Sequence, residues 1–272
     1  MGDMKIYFPQ WQGSGNRALY TGAAAARKGL NLKSRLKEIK MASDENLVEE
    51  NGILGYRQIL EQLKKLGEEI DSNQPNSILT LGGGCDIEVL PVSYLNKKYE
   101  GDLSVIWLDA HGDLNSPKTS KTAHFHGMPL RFLLEEGNDK GIDELMYSRL
   151  EPQQLLLLGV RDLDEPEKEY IAEKSIPCMS VQEVAWTEPG KWISSLHENV
   201  YVHIDLDVLD GKSFPHTLSP TDLGLEIVHL TQIMRRLQEE RRIVGMSILE
   251  YASSDPSGIE GLKDVAAMGL WI

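Results

Sequence analysis

The chain has 272 residues, 41% of them hydrophobic, and a formal net charge of −14 from 28 basic and 42 acidic side chains. This acidic balance argues against a nucleic-acid partner, because lysine and arginine supply most of the affinity for phosphates. No stretch approaches the roughly 20 apolar residues of a membrane helix, and two cysteines indicate no disulfide framework. The N-terminus has no signal-peptide core. We therefore predict a soluble cytoplasmic protein in which residues 1–272 form a single domain.

Short apolar runs alternate along the chain with longer amphipathic stretches. The runs predict buried strands at Lys5–Phe8, Ser77–Leu81, Leu103–Leu108, Gln154–Val160, Val200–Ile204 and Ile243–Leu249. The longer stretches predict helices at Gly52–Ile70, Asp86–Tyr99, Met128–Glu135, Pro166–Lys174, Pro189–His197 and Asp222–Arg241. Loops are predicted at Glu165–Pro166, Pro189–Gly190 and Ser213–Pro220. The alternation predicts an α/β fold, a three-layer doubly wound and mostly parallel sheet with helices on both faces.

Acidic residues follow the predicted strands where a fold of this class binds its ligands, beyond the carboxyl ends. Asp109, His111 and Asp113 follow one run, and Asp205 and Asp207 follow another. The members of each motif are two residues apart, which places them on one side of a strand if the strand continues. Four carboxylates in a partly desolvated cleft repel one another, so a cation must neutralise them. Two divalent metals fit best, and this ligand set favours a hard ion such as Mn²⁺.

Simpler explanations exist for the individual residues. A lone aspartate after a strand is most often a helix cap or a turn residue, although capping does not account for both motifs together. Gly82–Gly84 lacks the ending of a P-loop and of a dinucleotide fingerprint, which favours a tight turn. His124 and His126 lie in a predicted loop. Imidazole titrates near neutral pH, so a histidine beside a hydroxide-generating site could transfer protons.

Three segments resemble the signatures of the ureohydrolases, the family of arginase, agmatinase, guanidinobutyrase and formiminoglutamase. They are Asp109–Asn115 (DAHGDLN), His126–Leu130 (HGMPL) and Asp205–Asp210 (DLDVLD). The resemblance extends over most of the chain and implies an arginase-like fold and hydrolysis of a guanidinium or amidine carbon–nitrogen bond. Arginases, which convert L-arginine to ornithine and urea, are the most similar branch. The implied partners are a small guanidino or amidino substrate and further copies of the chain in a homo-oligomer.

The same resemblance implies two Mn²⁺ ions per chain. Asp109 and Asp205 would each bind both ions. His111 and Asp207 would complete the coordination of one ion, and Asp113 would bind the other.

Cys85 departs from the family pattern. It stands where the family has a further histidine ligand, and Gly84 replaces the acid before it. A thiolate is a softer ligand than Mn²⁺ prefers. Three outcomes are open: Cys85 binds a metal, water replaces it, or that metal is weak or absent. His203, on the same strand face as Asp205, is either a substitute ligand or a packed core histidine.

Catalytic and substrate-binding roles also follow from the resemblance. Asp113 would orient the hydroxide, His126 would protonate the departing amine, and Glu250 would pair with the guanidinium of the substrate. The positions that hold the amino-acid head of arginine correspond here to Asn115, Thr122, His124 and Asp164. Asn115 matches arginases, whereas Thr122 and His124 depart from their pattern, as does Gly211, which stands where the family usually has proline.

Three alternatives remain beside an arginase-like enzyme. The chain could act on another substrate, as a formiminoglutamase or agmatinase does. It could be a catalytically weak relative with a degraded metal site, binding a ligand or a partner subunit. A zinc deacetylase of related fold would need only one metal and would have no use for Glu250 or Asn115. The metal content of the purified protein separates a two-metal hydrolase from a relative with a degraded metal site and from a one-metal deacetylase.

Overall fold

Parallel strands form a central sheet in a computed structural model that describes residues 2–32, 36–42, 44, 46–134, 136–186 and 189–269. Its strands are β1 (Asp3–Phe8), β2 (Lys37–Glu38), β3 (Glu49–Glu50), β4 (Ile53–Leu54), β5 (Ser77–Gly82), β6 (Leu103–Leu108), β7 (Leu155–Leu158), β8 (Cys178–Met179), β9 (Asn199–Asp205) and β10 (Arg242–Leu249). The 8-stranded sheet has the order β2-β1-β5-β10-β9-β6-β7-β8, with every pairing parallel. β3 and β4 pair separately as an antiparallel hairpin.

Helices connect the strands. They are α1 (Ala18–Gly29), α2 (Tyr56–Asn73), α3 (Val89–Lys98), α4 (Pro129–Leu133), α5 (Lys140–Asp143), α6 (Glu165–Lys174), α7 (Val181–Trp186), α8 (Pro189–Ile193), α9 (Ile227–Glu240) and α10 (Lys263–Gly269). Within the ranges that the structure describes, no helix is both long and apolar enough to span a bilayer.

The two faces of the sheet bury separate hydrophobic clusters. Neighbouring residues of β6 point to opposite sides, so Trp107 packs into the cluster of α2, α3, α4 and α6, whereas Leu108 packs into the cluster of α1, α9 and α10. Both residues are fully buried. This alternation explains why the central strands read as continuous apolar runs, and it confirms the predicted three-layer α/β fold.

The six predicted strands are confirmed, while several helix boundaries were wrong. The helix predicted from Gly52 begins at Tyr56, because Ile53–Leu54 pairs in the hairpin. The helix predicted from Asp222 begins at Ile227. The stretch predicted from Asp86 opens with a 3-10 turn before α3. The helix predicted at Met128–Glu135 corresponds to α4, and Glu135 lies outside the described residues.

Two predicted loops are helix starts instead. Glu165–Pro166 forms the first turn of α6, where Asp164 and Glu167 make a reciprocal capping box. Pro166 fits at the second position because the N–H groups of the first helical turn have no intrahelical partner. Pro189–Gly190 likewise begins α8, which ends at Ile193, short of the predicted end at His197. The loop predicted at Ser213–Pro220 contains no helix or strand, apart from a single bridge at Thr217.

The order of the strands places the functional motifs side by side. β5, β10, β9 and β6 are consecutive in the sheet and parallel, so their carboxyl ends lie at one edge. Cys85 follows β5, Glu250 follows β10, Asp205 ends β9 and Asp109 follows β6. Residues far apart in sequence therefore meet at one site.

Candidate metal centre and substrate cleft

A cleft of about 380 Å³ opens at this edge of the sheet. Most of the residues predicted from the sequence line it: His111, Asp113, Asn115, Thr122, His124, His126, Asp164, Asp205, Asp207 and Glu250. The two remaining residues, Cys85 and Asp109, are buried. Each belongs to a cluster of possible ligands that includes a cleft-lining side chain.

Three clusters of possible ligand atoms lie in and behind the cleft. Within each cluster the atoms are all within 4.8 Å of one another. The clusters are Asp109, His111 and Asp207; Cys85, Asp109, Asp113 and His203; and Cys85, Asp205 and Glu250. Asp109 belongs to the first two, which suits a carboxylate that joins two neighbouring cations. Carboxylate and imidazole donors at this spacing fit divalent metal ions.

The β6 end does not position its side chains by extending the strand, as the sequence analysis assumed. β6 ends at Leu108, and the backbone amide of His111 turns back to donate to Asp109 Oδ1 at 2.7 Å. Asp113 has φ 51°, in the left-handed region. A non-glycine residue held there is strained, and such strain is characteristic of functional sites. The turn thus brings Asp109 and Asp113 into one cluster by a route that the period of two did not predict.

The β9 end combines capping with ligand geometry. Asp205 caps a 3-10 helix at Leu206–Val208 by accepting from the amide of Asp207 at 2.8 Å. The Asp207 carboxylate accepts from the amide of Ala110 at 3.0 Å, which ties the two motifs together. The same aspartates can therefore accept backbone hydrogen bonds and serve as metal ligands, because each carboxylate has two oxygen atoms.

Burial and mutual repulsion disfavour the ionised forms of the clustered carboxylates. Burial raises the pKa of Asp109, Asp113 and Asp205, and neighbouring carboxylates raise it further. For His111, burial lowers the pKa, but hydrogen bonds and charge from Asp109 and Asp207 outweigh it and raise the pKa. The His111 Nδ1 atom lies 3.0 Å from Asp207 Oδ2. A divalent cation would stabilise the ionised carboxylates and displace the imidazole proton.

His126 and Glu250 form a hydrogen-bonded pair in the lining of the same cleft. Nδ1 of His126 lies 3.0 Å from Oε1 of the buried Glu250. Burial lowers the pKa of His126, but the charge and hydrogen bond of Glu250, together with the charge of Asp86, outweigh it, so the pKa is raised. His124, with its ring centroid 5.8 Å from that of His126, has a lowered pKa from burial and from the charge of its neighbour. Of the two histidines, His126 is therefore the one whose surroundings favour the protonated form.

Polar side chains surround the mouth of the cleft. Asn115 donates from Nδ2 to Asp164 Oδ2 at 3.3 Å, and Thr119 donates to Asn115 Oδ1 at 3.0 Å. The Lys121 ammonium lies 3.5 Å from Asp164 Oδ1. Thr122 accepts from a backbone amide through its hydroxyl at 3.3 Å. Cationic, anionic and neutral groups thus face one small opening.

Two supporting residues escaped the sequence analysis. Arg161 donates through Nη2 to the carbonyls of Asp207 and Leu209, at 2.7 and 3.1 Å, which holds the loop after β9. A single arginine after a strand carries no local signal of that role. Glu167 accepts from the amides of Leu114 and Asp164. Its capping-box spacing of three residues was the available clue.

Trp107 also supports the cluster from the middle of β6. Its indole N–H lies 3.2 Å from Asp109 Oδ2 and 3.3 Å from Asp113 Oδ2. The indole ring stacks on His203, with centroids 3.5 Å apart. Trp107 therefore orients two carboxylates with one donor, as partners of metal ligands generally do.

Replacing Trp107 with phenylalanine is expected to weaken Mn²⁺ binding by about 10–100-fold, the usual cost of losing such an orienting group. The aromatic stack on His203 survives, whereas the donor to Asp109 and Asp113 is lost. Titration of the metal-free variant with Mn²⁺ measures the change. Trp192→Phe is the matched control, because that buried indole lies in the other hydrophobic cluster. Equal Mn²⁺ affinity in the wild type and Trp107→Phe would contradict the assigned role.

Fold and site together define a metal-binding protein of the α/β class. The family model described as "Arginase family" matches residues 14–260, and the chain belongs to this family. It is 30% identical over 245 residues to an arginase of Staphylococcus aureus (strain MRSA252), covering 85% of this chain and 80% of the relative.

Solved structures agree with this family. The native arginase from Bacillus caldovelox superposes with a TM-score of 0.85 at 26% identity, over 98% of this chain and 97% of that one. Formimidoylglutamase from Bacillus subtilis superposes with a TM-score of 0.74 at 17% identity, over 99% and 86% of the two chains. The second likeness shows a shared fold alone.

Proposed function

We propose that the protein is a metal-dependent hydrolase that cleaves the guanidinium carbon–nitrogen bond of L-arginine, giving ornithine and urea. The supporting observation is the pair of part-buried His126 and buried Glu250, which lines the cleft beside the ligand clusters. An acid-base histidine, an anionic anchor and a metal centre are the parts that this hydrolysis needs. The family membership of the chain and its likeness to arginases support the choice of substrate.

Five residues are proposed to hold two divalent cations: Asp109, His111, Asp113, Asp205 and Asp207. Mn²⁺ is the proposed metal for the carboxylate-rich positions, because hard oxygen ligands suit it. Divalent cations in this site would lower the pKa of water and so supply hydroxide near neutral pH. Asp113 is the residue that would accept a hydrogen bond from that nucleophile and orient it.

Glu250 is proposed to hold the guanidinium group. Its carboxylate is buried, and two oxygens match the planar fork of a guanidinium in a charge-assisted pair. The backbone of Glu250 has φ 65°, and its amide donates to Gly83 O at 2.9 Å. This strained backbone fixes the carboxylate at the edge of the ligand clusters, where the carbon to be attacked must lie.

His126 is proposed to protonate the departing amine. Its Nδ1 atom lies against Glu250, and its raised pKa favours the protonated imidazolium, in which both ring nitrogens carry a proton. General acid catalysis of this kind contributes about 10²–10⁴-fold to a rate. His126 is part-buried at the cleft wall, so a proton can be replaced from solvent after each turnover.

The mouth of the cleft favours an amino-acid substrate over a plain amine. Asp164 can accept hydrogen bonds from an α-ammonium group, while the Asn115 amide, the Thr122 hydroxyl and the Lys121 ammonium can donate to an α-carboxylate. His124 lies among these groups. Agmatine lacks the carboxylate, so it would leave the donors at the mouth unpaired.

Two wider predictions accompany this function. A cytoplasmic location is consistent with the free thiols of Cys85 and Cys178, since reducing compartments keep thiols unpaired. A homo-oligomer is proposed from the family resemblance.

The test is urea release by the Mn²⁺-loaded protein, with metal content measured on the same sample. L-Arginine, agmatine, 4-guanidinobutyrate and N-formimino-L-glutamate are compared. We expect about two metals per chain and a kcat/KM for L-arginine at least about 10-fold above that for agmatine, since one charged hydrogen bond is worth that much. If the protein binds metal but hydrolyses only another amidine, that compound replaces L-arginine as the proposed substrate. A protein that binds no divalent metal would overturn the proposal.

A further inference from the structure

His203 lies in β9, fully buried at the back of the ligand clusters. Its Nδ1 atom is 3.2 Å from the hydroxyl of Ser247, and Trp107 stacks on its ring. Its other nitrogen, Nε2, has no hydrogen-bond partner among the residues that the structure describes. A buried ring nitrogen without a partner is unfavourable unless something absent from the chain binds it.

The sheet register explains why this histidine reaches the site. Ser247 pairs with Thr80 of β5 on one side and with His203 of β9 on the other, and Trp107 of β6 pairs with His203. These residues form one row across the sheet. The side chain that β10 contributes to this row, Ser247, is small and contacts His203 directly. Cys85, which starts the turn after β5, belongs to the same hydrophobic cluster as Trp107.

Four different ligand atoms converge at this point. The sulfur of Cys85, a ring nitrogen of His203 and oxygens of Asp109 and Asp113 all lie within 4.8 Å of one another, and all four residues are buried. Ligands of a tetrahedral Zn²⁺ lie about 2.0–2.3 Å from the ion, so a small contraction of this cluster would close it around a metal. Without one, the thiol hydrogen-bonds to Asp205 at 3.2 Å.

We propose that Cys85 and His203 are both metal ligands, and that with Asp109 and Asp113 they form an inner site that prefers Zn²⁺ to Mn²⁺. The outer site of Asp109, His111 and Asp207 has no sulfur donor, so it selects Zn²⁺ less strongly and can take Mn²⁺. The protein would then hold one ion of each kind. This inference rests on the proposed metal centre. It explains the cysteine at position 85, where the family has a histidine, as a change in which metal the site prefers.

The selectivity follows from the ligand atoms. Thiolate and imidazole bind Zn²⁺ much more strongly than Mn²⁺, which is the weakest binder in the series of divalent first-row metals. Carboxylate oxygens discriminate less. Binding releases the thiol proton of Cys85, as it does in other thiolate sites. Both sites contain one imidazole, so the thiolate of Cys85 is the donor that makes the inner site select Zn²⁺ more strongly.

The experiment loads the metal-free full-length protein with one equivalent of Zn²⁺ and an excess of Mn²⁺ and measures both metals per chain. The same protein is loaded with Co²⁺ alone, because a cobalt–thiolate bond gives a sulfur-to-metal charge-transfer band in the near ultraviolet. We expect one Zn²⁺ and one Mn²⁺ per chain, and the charge-transfer band. Cys85→Ser should lose the band, and Cys85→Ser and His203→Asn should each weaken Zn²⁺ binding by more than about 10-fold. Cys178→Ser, which changes the exposed thiol, should behave as the wild type.

The outcomes separate the two proposals. Two Mn²⁺ ions bound from the mixture, with arginine hydrolysis and no cobalt–thiolate band, would overturn the inner zinc site and leave the proposed function standing. A band with unchanged Zn²⁺ affinity in His203→Asn would remove His203 from the ligands. If neither metal binds, the metal centre itself fails. Circular dichroism of each variant guards against misfolding, and Cys85→Ser tests the site even if His203→Asn does not fold.

Discussion

Asp205→Asn is expected to remove nearly all arginine hydrolysis and to lower the metal content of the protein. Asp205 is buried at the end of β9, within the ligand cluster of Cys85 and Glu250. Asparagine keeps the volume and one oxygen for the cap to Asp207, but it removes the negative charge. Groups that only orient metal ligands are worth about 10–100-fold, so loss of a ligand should cost more than about 100-fold in turnover. Metal analysis and urea release are measured on one preparation.

The metal-free form of this variant gives an independent check. Burial and the charge of Asp207 raise the pKa of Asp205. A carboxyl group whose pKa is higher in the folded chain than in the unfolded chain destabilises the folded protein as the pH rises above the unfolded pKa of about 4. The metal-free wild type should therefore become less stable from acidic to alkaline pH, and Asp205→Asn should remove part of that loss. The variant should melt at or above the wild-type temperature at pH 8 when metal is absent.

The control is Asp222→Asn, the same chemical change on an aspartate outside the ligand clusters. Asp222 pairs with Lys212, and both side chains are mostly exposed. Exposed pairs contribute about 0–1 kcal/mol, so metal content and turnover should stay close to those of the wild type. An Asp205→Asn protein with full metal content and undiminished turnover would refute the proposed mechanism.

The sequence predicted the sheet and the main site residues for the same reason. Parallel strands buried on both faces must be apolar along their whole length, so Leu103–Leu108 and Val200–Ile204 stand out. The chain then becomes polar where each strand leaves the core, which exposed Asp109 and Asp205 as candidates. The change from an apolar run to polar residues at the end of each strand carried this information, without any knowledge of tertiary contacts.

The sequence could not predict features that depend on contacts between distant residues. Helix α1 was missed because its buried face consists of small residues such as Ala23 and Ala26, which give a weak hydrophobic pattern. Gly22 sits against the backbone of Tyr251, where a Cβ would clash at 1.7 Å. Arg161 and Trp107 support the site through partners that no local spacing reveals. His203 is indistinguishable in sequence from an ordinary core histidine.

Glu250→Gln is expected to lower kcat/KM for L-arginine by about 10²–10³-fold while the metal content stays the same. Glutamine keeps the shape of the side chain but removes the charge opposite the guanidinium. Breaking one partner of a buried charge pair costs about 2–5 kcal/mol, or about 30- to 5,000-fold, and the expected loss lies within that range. Kinetics with L-arginine and metal analysis measure the two quantities separately.

The pH dependence of Glu250→Gln tests the role of His126. Burial lowers the pKa of His126, and the charge and hydrogen bond of Glu250, with the charge of Asp86, together outweigh it and raise the pKa. Without the charge of Glu250 the pKa of His126 falls, and its protonated form is lost at lower pH. If His126 donates the proton to the amine, the alkaline limb of the kcat profile must therefore move to lower pH in the variant. An unmoved limb would assign the proton donor elsewhere.

Glu260→Gln is the matched control for Glu250→Gln, since it is the same chemical change on an exposed glutamate that pairs with Lys263 outside the cleft. The charge of Glu260 is screened by water, and the expected change in kcat/KM is less than about 5-fold. Glu250 also lies within 4.8 Å of ligand atoms of Cys85 and Asp205. Loss of a metal ion in Glu250→Gln would thus make Glu250 a ligand instead of the guanidinium anchor. Retained metal with a normal kcat/KM would exclude both roles.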